Sequence, residues 1–531
     1  MDELALVLQD QKRRGTLSVL AGAGVSMLPP CDLPSGPLLK DWGVSALFEA
    51  AGRADLWESV RTNPRYAKAV PEVLFQHVYD SVGDDFLDFF RVLDGAQPNA
   101  VHALLGRWAH EGVTILTTNF DHLIDAFAPP GSVVHLHGSL ADPAEMVVRL
   151  HQIGHGIGED LQERLDSAIR GRLLCVLGYS GNDRDIAAAV RYARPEGILW
   201  LIRNETDWAW RNLQYFAHPD IGIVVTTGEM GDLVTRLGAT NPPQRPRRRN
   251  HQHRTAWTRQ LSRGTLALAN SNLLHAVQHY EAAASVALDA LSATRDGRAR
   301  PALRVAAVEA LSAQGKFEEA IAAVSRHVGE GEPQGPAYEL ALISMSLGTL
   351  ELESEHPDSN RAMAYFVNAA KMASELESQL HDDESRDTLM KFRAALANNL
   401  GVLFLITGMP FAAIKQFPRS IEDADRRGDL AALALYAANL SVAYHMARRF
   451  ADARKMRRVA LGIAGRYGFH HVAAYLLRWM GRLVCDHGLT SSGLRFLQAA
   501  LGIYETVEED QFGCEITRRM IEQYTSATGS S

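Results

Sequence analysis

Short apolar runs separated by longer helical stretches occupy the first 240 residues of the chain. Runs of four or five Val, Ile and Leu residues are typical of parallel strands buried on both faces. About six runs predict a doubly wound α/β layout: Leu17–Ala21, Val113–Leu116, Val133–Val134, Leu173–Leu177, Ile198–Ile202 and Ile221–Thr226. We therefore expect residues 1–240 to fold around a parallel sheet.

The strand pattern stops after residue 261, and Ala-rich helical stretches then recur at a fixed interval. A small residue that anchors each copy moves from Ala413 to Ala453 to Gly493, an interval of 40 residues. Small residues at fixed places let two helices approach closely, and a glycine marks the turn between them. The pattern resembles a tetratricopeptide-type array, and we expect residues 262–525 to form about five or six helical hairpins of a solenoid. An irregular helical bundle is the alternative.

A segment rich in Pro and Arg, residues 241–261, separates the two halves. It breaks every periodicity and is typical of a solvated linker. The basic run at 245–254 is able to bind phosphates, which leaves a nucleic-acid contact open there. Because no aromatic residues are interleaved with the basic ones, we favour the linker interpretation.

The composition is that of a soluble globular protein, with 531 residues, 47% apolar and 22% charged. A net charge of −8 gives no general reason to expect nucleic acid or an anionic membrane as a partner. The acidic start, Met1-Asp2-Glu3, lacks the pattern of a secretion signal, and no segment approaches the roughly 20 apolar residues of a membrane span. The four cysteines form no CxxC pair. We expect a cytoplasmic protein without disulfides or a cysteine-based zinc site.

Short polar motifs follow four of the predicted strands: Gly22–Ser26, Thr117–Asp121, His135–Ser139 and Gly178–Asp183. In an open parallel sheet the ligand lies beyond the carboxyl ends of the strands, where these motifs fall. The four motifs are therefore expected to meet at one nucleotide pocket.

The first motif, Gly22-Ala23-Gly24, lets the backbone turn tightly and approach a pyrophosphate. We expect a helix to follow it, capped by Ser26, with free N–H groups turned to the phosphates. The downstream loop that contains Pro34 strengthens this interpretation a little. The alternative is that the glycines only pack a helix against the sheet.

Asn119, Asp121 and His137 are the candidate reactive side chains. Asn119 offers a carboxamide that can orient a water molecule or a ribose hydroxyl, whereas Asp121 alone would also suit an ordinary helix cap. His137 precedes Gly138, which permits close approach of a ligand. A single histidine is more often structural, but the three companion motifs favour a catalytic role.

Taken together, Gly22–Ser26, Thr118–Asp121, His137-Gly138 and Gly178–Ser180 resemble the sirtuin superfamily in order and approximate spacing. The resemblance covers roughly residues 10–235 and implies an NAD-binding domain of the Rossmann type. It implies that Thr118, Gly178 and Ser180 contact the dinucleotide, and that Arg203 and Asn204 lie where the family contacts the adenosine ribose.

The chain also departs from the family. Deacylating sirtuins carry a zinc ribbon with two CxxC pairs after the catalytic histidine, and residues 140–172 contain no cysteine. The loop that usually carries a Phe-Arg pair has Pro34-Ser35-Gly36-Pro37 instead. Zinc held by four histidines is conceivable, but their spacing fits no common ligand pattern, so no metal is expected: His135, His137, His151 and His155.

With water in place of an acyl-lysine, the resemblance implies an NAD hydrolase that releases nicotinamide and ADP-ribose. Asn119 would orient water or the ribose, His137 would act as general base, and Asp121 would hold the nicotinamide ribose. Domains of this kind joined to other modules resemble NAD-depleting effectors of prokaryotic anti-phage defence. The expected partners are NAD, a phage or other protein trigger bound by the helical repeats, and further copies of the chain. A protein deacylase and a non-enzymatic NAD- or ADP-ribose-binding scaffold are the alternatives.

Overall fold

A computed structural model describes residues 1–204, 208–243, 253–293, 299–327, 337–353, 358–377, 383–467, 469–486, 488–505 and 511–529. The chain divides into two compact units. One unit comprises Met1–Ala50 and Val82–Leu261, and the other comprises Ala51–Ser81 and Ser262–Ser531. The core of the expected linker, residues 244–252, lies outside the described residues.

A parallel sheet forms the centre of the first unit. Its strands are β1 (Leu17–Ala21), β2 (Thr114–Thr117), β3 (Val133–His135), β4 (Leu173–Leu177), β5 (Gly197–Ile202) and β6 (Gly222–Thr227), in the spatial order β3-β2-β1-β4-β5-β6. Every neighbouring pair is parallel. The doubly wound α/β fold predicted from the apolar runs is therefore confirmed. The strand order reverses between β1 and β4, so the carboxyl ends of β1 to β4 lie side by side.

The apolar runs form strands because both faces of the sheet are covered. Val19 and Ile115 belong to one buried apolar cluster, and the next residues along the same strands, Leu20 and Leu116, belong to another. Since side chains alternate between the faces of a strand, a strand buried on both faces must be apolar throughout. This is the reason that continuous Val, Ile and Leu runs marked these strands.

The helices follow in chain order, and the boundaries of both units can be read from them. The first twelve are α1 (Asp2–Arg13), α2 (Gly36–Ala50), α3 (Ala54–Thr62), α4 (Pro64–Lys68), α5 (Pro71–Val82), α6 (Ala100–His110), α7 (Leu150–His155), α8 (Glu159–Ile169), α9 (Arg184–Ala193), α10 (Trp208–Asn212), α11 (Met230–Arg236) and α12 (His253–Ala256). The others are α13 (Arg263–Ala276), α14 (Tyr280–Ala293), α15 (Ala299–Ala313), α16 (Phe317–His327), α17 (Ala337–Glu353), α18 (Ser359–Glu377), α19 (Asp383–Ile406), α20 (Pro410–Arg426), α21 (Leu430–Met446), α22 (Phe450–Tyr467), α23 (His470–Asp486), α24 (Thr490–Ile503) and α25 (Gln511–Gly529). Short 3-10 helices span Ala23–Val25, Gly83–Leu93, Asp125–Phe127, Pro143–Glu145, Leu213–Tyr215 and Trp257–Gln260.

Helices α13 to α24 pack as successive pairs, which confirms an all-α region consistent with a repeat array. The turns that close three successive pairs carry residues with positive φ at the predicted interval: Gly408 (73°), Arg448 (59°) and Gly488 (81°). A left-handed residue at a helix end is the usual way to reverse the chain, and glycine adopts it without strain. The interval seen in the sequence is therefore the interval of the turns.

One described helix is long and apolar enough to cross a membrane by length and composition. It covers Arg386–Ile406 with a mean hydropathy of 1.4, so the expectation that no segment approaches a membrane span is wrong by this measure. This stretch lies in α19, which packs against α18, α20 and α21 within the array. A core helix of a soluble protein passes the same test.

Candidate functional site

The loop after β1 is packed directly against the loop after β4. The main-chain N–H of Gly22 donates to the carbonyl of Leu177 (3.0 Å), and that of Gly24 donates to the carbonyl of Gly178 (2.8 Å). A Cβ atom at Gly22 would lie 2.6 Å from Cα of Tyr179, and one at Gly24 would lie 2.7 Å from Cα of Gly178. Contacts this close exclude any side chain. The contact between the two loops is thus sufficient to explain both glycines.

Ser26 does not cap a helix, contrary to the sequence expectation. The motif forms only the three-residue 3-10 helix Ala23–Val25, with Gly22 before it and Ser26 after it. The next helix, α2, begins at Gly36, beyond the half-buried Pro34. The expected row of free N–H groups is therefore not formed at this position. Ser26 instead has its hydroxyl in a buried network of side chains.

That network joins the ends of β1 and β2 to the start of α6. The Ser26 hydroxyl donates to Oδ2 of Asp121 (2.9 Å) and accepts from Nδ2 of Asn119 (3.0 Å). The same oxygen lies 3.0 Å from Nε2 of His102. The main-chain N–H of Asn99 donates to Nδ1 of His102 (3.0 Å), so the proton of the neutral ring lies on Nε2 and is donated to Ser26. Ser26, Asn119 and Asp121 were predicted to meet, and the structure brings them into direct contact.

His102 is neutral in this arrangement. Burial lowers the pKa of His102 to about 4, although the nearby Asp121 carboxylate acts in the opposite direction. The carboxylate bonds to the serine and not to the histidine, and Ser26 is only 2% exposed. A Ser-His-Asp hydrolase needs an accessible serine and a histidine oriented by the carboxylate. The network therefore does not fit a serine nucleophile and acts to position Asn119 and Asp121.

The amide orientation of Asn119 follows from its partners. Asp121 is an acceptor and the Ser26 proton is already given to Asp121, so Nδ2 of Asn119 must be the atom that faces them. Its Oδ1 atom is buried and has no hydrogen-bond partner in the described residues. A buried acceptor of this kind costs about 1–3 kcal/mol unless a donor reaches it. This atom is thus suited to accept from a ligand hydroxyl or from water.

His137 is oriented by a carboxylate that the sequence analysis did not single out. Its Nε2 atom lies 3.1 Å from Oδ2 of Asp185, near the start of α9, and both side chains are buried. An ionised carboxylate only accepts, so the neutral ring carries its proton on Nε2 and its lone pair on Nδ1. A histidine held this way by a carboxylate is a common form of general base.

The sheet register relates His137 to Asn119. Thr117 in β2 pairs with His135 in β3, and Asn119 and His137 each follow two residues later. The two residues therefore leave neighbouring parallel strands at equivalent positions on the same edge of the sheet. This is the arrangement expected for two groups that act on one ligand.

A cavity of about 610 Å³ adjoins the turn that contains His137. Its lining includes Leu136 and Gly138 on either side of His137, together with His135. The ionisable groups that line it in the described part of the chain are, besides His135, carboxylates: Glu145, Glu159, Asp160 and Asp185. Cavities of this volume commonly bind small molecules. The acidic lining favours a positively charged group over a phosphate.

The remaining predicted contacts lie at the same edge but outside the network. The N–H of Thr118 donates to the carbonyl of Ala21 (3.1 Å). Ser180 is exposed after β4, and its carbonyl accepts from Asn212 (2.9 Å). Arg203 and Asn204 are exposed after β5, where Nε of Arg203 lies 3.6 Å from Glu229.

The four histidines considered as zinc ligands do not form one group among the described residues. His135 instead lies with His122 and Asp125, the one cluster of potential metal-binding side chains found there. His137 is bonded to Asp185.

Three residues of the site were missed in the sequence: Asn99, His102 and Asp185. Asn99 and His102 form a capping box at the start of α6, in which each side chain bonds the backbone of the other residue. An Asn followed three residues later by a polar residue before an apolar run is a detectable signal of this motif. Asp185 offers no such signal, because an acidic residue in a first helical turn is ordinary.

Comparison of the sequence with models of known protein families and with the curated proteins finds no match in either set.

Proposed function

We propose that this chain is a sirtuin-like NAD hydrolase, which cleaves NAD into nicotinamide and ADP-ribose. The observation that carries the proposal is the equivalent placement of Asn119 and His137 on neighbouring strands. One offers an unsatisfied buried acceptor, and the other is a histidine oriented by a carboxylate. The resemblance of the four motifs to sirtuins supplies the substrate class.

The chemistry needs little acid catalysis, because nicotinamide leaves from a positively charged ring. The bond between the ring nitrogen and the ribose C1′ breaks with both electrons going to nicotinamide. The electron-poor ribose centre is then attacked by water, the logic shared with glycoside hydrolysis. The products are ADP-ribose, nicotinamide and one proton.

Asn119 and His137 have complementary tasks in this reaction. Oδ1 of Asn119 accepts from the attacking water or from a ribose hydroxyl, which satisfies a buried atom that otherwise lacks a partner. His137 accepts the proton of the water as the new C–O bond forms, while Asp185 stabilises the resulting imidazolium. Asp121, held by Ser26, keeps Asn119 in place and reaches toward the nicotinamide ribose.

The charge of the cavity is consistent with this assignment. Nicotinamide is cationic when it is attached to ribose, and the four carboxylates that line the cavity favour a cation. The pyrophosphate is then expected away from the cavity, at the loops after β1 and β4, with Gly22–Gly24, Gly178 and Ser180 around it. Arg203 and Asn204, after β5, are assigned to the adenosine ribose.

The helical unit is proposed to control this activity. An enzyme that empties a cell of NAD must be restrained, and helical repeats present long surfaces for protein partners. We expect a cytoplasmic homo-oligomer with low basal activity, released when a phage or other protein trigger binds the repeats. This assignment to anti-phage defence rests on the pairing of domains.

The test uses the purified full-length protein. NAD binding is measured by calorimetry, and nicotinamide and ADP-ribose are quantified by chromatography after incubation with NAD, with and without phage lysate and with and without an acetyl-lysine peptide. We expect NAD to bind without the lysate, and the two products to appear in equal amounts independently of the peptide. Asn119→Ala is the matched inactive control.

Other outcomes separate the alternatives. Turnover only in the presence of the peptide, with transfer of its acyl group, would make the chain a deacylase. Binding of NAD or ADP-ribose without cleavage under every condition would make it a scaffold. Failure to bind NAD at all would contradict the proposal.

A further inference from the structure

His122, Asp125 and His135 form a cluster of ionisable side chains that has no part in the proposed reaction. Their potential ligand atoms all lie within 4.8 Å of one another. The N–H of Ala141 donates to Nε2 of His122 (3.2 Å), so the proton of that ring lies on Nδ1, 3.7 Å from Oδ2 of Asp125. A metal ion bound through Nδ1 would require that proton to leave and the Ala141 bond to break. The hydrogen bonds thus account for His122 with protons alone.

The partners of His135 fix its charge. Its Nδ1 atom lies 2.9 Å from the carbonyl oxygen of Asn119, and its Nε2 atom lies 3.2 Å and 3.4 Å from the carboxylate oxygens of Asp125. Both partners only accept hydrogen bonds. A neutral imidazole has one N–H and would turn a lone pair toward one of the acceptors. Only the imidazolium, which donates from both nitrogens, satisfies both contacts.

We propose that His135 is a positioning residue, held as an imidazolium between the Asn119 carbonyl and Asp125, which fixes Asn119 for its task. The contact ties together three segments: the end of β3, the loop after β2 and the 3-10 helix Asp125–Phe127. The His135 side chain is 13% exposed, so water competes little for either bond. Because Asn119 carries the orphan acceptor, any shift of its backbone moves that atom. The role in catalysis rests on the proposed function, whereas the charged state of His135 does not.

Charges around the ring support the cation. Asp125 and Asp121 both favour it, and His122 is the nearest other basic group. Four carboxylates line the cavity that His135 also lines: Glu145, Glu159, Asp160 and Asp185. Burial by itself lowers the pKa of His135, but the bonds to Asp125 and to the Asn119 carbonyl outweigh it, so the pKa is raised.

The raised pKa fixes the sign of the pH dependence. The unfolded chain has a histidine pKa of about 6.5, and the folded value is higher. The stabilisation from the His135 cation is therefore complete below the unfolded pKa and is lost as the pH rises through the folded one.

The test compares the full-length protein with His135→Lys, which keeps a cation at every pH, and with His135→Gln, which has none. His110→Lys and His110→Gln make the same changes at an exposed position before β2, at the opposite edge of the sheet. Thermal unfolding, NAD binding and NAD cleavage are followed from pH 5.5 to 9. We expect the unfolding temperature of the wild type to fall with rising pH relative to His135→Lys. We expect NAD cleavage to drop between roughly tenfold and a hundredfold in His135→Gln, as for a misplaced catalytic group, and to recover in His135→Lys.

Each result decides between charge and structure. A pH-independent difference between wild type and His135→Lys, or full activity in His135→Gln, would overturn the inference. So would stoichiometric zinc in the purified protein that chelation removes with loss of stability. Should His135→Lys not fold, Asp125→Asn replaces it, because loss of the carboxylate must move the pH-dependent loss of stability to lower pH. If the wild type neither binds nor cleaves NAD, the proposed function fails while the unfolding data still test the charge of His135.

Discussion

The hydroxyl oxygen of Ser26 lies 3.0 Å from Nε2 of His102, a residue 76 positions away in the chain. This bond connects the loop after β1 to the start of α6. Asn99, which caps α6, also donates to the carbonyls of Val25 (2.8 Å) and Leu28 (3.1 Å). The loop is therefore held at both ends by one capping box. A role usually confined to helix stability here also fixes the polar groups of the site.

A first prediction concerns acid sensitivity. Since burial lowers the pKa of His102 to about 4, the unfolded state binds a proton between about pH 6.5 and pH 4 that the folded state does not. Stability is therefore complete above the unfolded pKa and is lost as the pH falls, by an amount of the order of 3 kcal/mol. In His102→Gln the amide can accept from Asn99 and donate to Ser26 without titrating. We expect its unfolding temperature to match the wild type near pH 7 and to exceed it near pH 4.5.

The matched control is His110→Gln, which removes an exposed histidine from the same helix. It should follow the wild type at both pH values. An equal acid sensitivity in His102→Gln and the wild type would mean that His102 is protonated in the folded state.

A second prediction concerns the reactive pair. Asn119→Ala and His137→Ala should each lower NAD cleavage by at least roughly a hundredfold, because one removes the acceptor and the other the base. Circular dichroism should show that both variants stay folded. Groups that act on one bond are not additive, so the double variant should be little slower than either single one. Full activity of either single variant under activating conditions would refute the site.

A third prediction isolates Asp185. Asp185→Asn keeps the size of the side chain but removes the charge that stabilises the His137 imidazolium. NAD turnover should fall by roughly a hundredfold or more, with NAD binding little changed, since Asp185 acts on the proton transfer. Steady-state kinetics and calorimetry separate the two effects. Weaker binding with unchanged turnover would instead place Asp185 in the recognition of the substrate.

The sequence revealed the strands and the edge where the site lies, because continuous apolar runs and the polar motifs after them are local signals. It did not reveal how those motifs are satisfied. Ser26 has the residue type of a helix cap, but the chain closes only a 3-10 helix there, and His102 supplies the partner from another element. Asp185 looks like any first-turn carboxylate until β3 brings His137 to it. Such pairings depend on tertiary contacts between distant segments.

The composition of the helical unit was equally hidden. Residues 51–81 precede β2 in the chain but group with the helices that follow residue 261. Asn63 donates to the carbonyl of Val277 (3.1 Å), and Asn272 donates to Ser81 (3.0 Å). Polar contacts between segments so far apart leave no periodic trace. The repeat interval, in contrast, is visible because the same close approach recurs in successive helix pairs.

The last prediction tests that close approach. A Cβ atom at Gly401, in α19, would lie 2.5 Å from the ring of Phe417 in α20, and the same relation joins Gly348 to Phe366 in the pair α17 and α18. Gly401→Ala should destabilise the helical unit by about 1–3 kcal/mol, because the fully buried ring has no room to move. Gly462→Ala is the control, since this helical glycine in α22 is exposed and has nothing within 4 Å of its Cβ position. Alanine favours a helix over glycine by up to about 1 kcal/mol, so the control should be stabilised. Thermal unfolding of the two variants must therefore shift in opposite directions. A shift of both toward higher temperature would mean that Phe417 can retreat, and that the glycine is not required for the pairing of these helices.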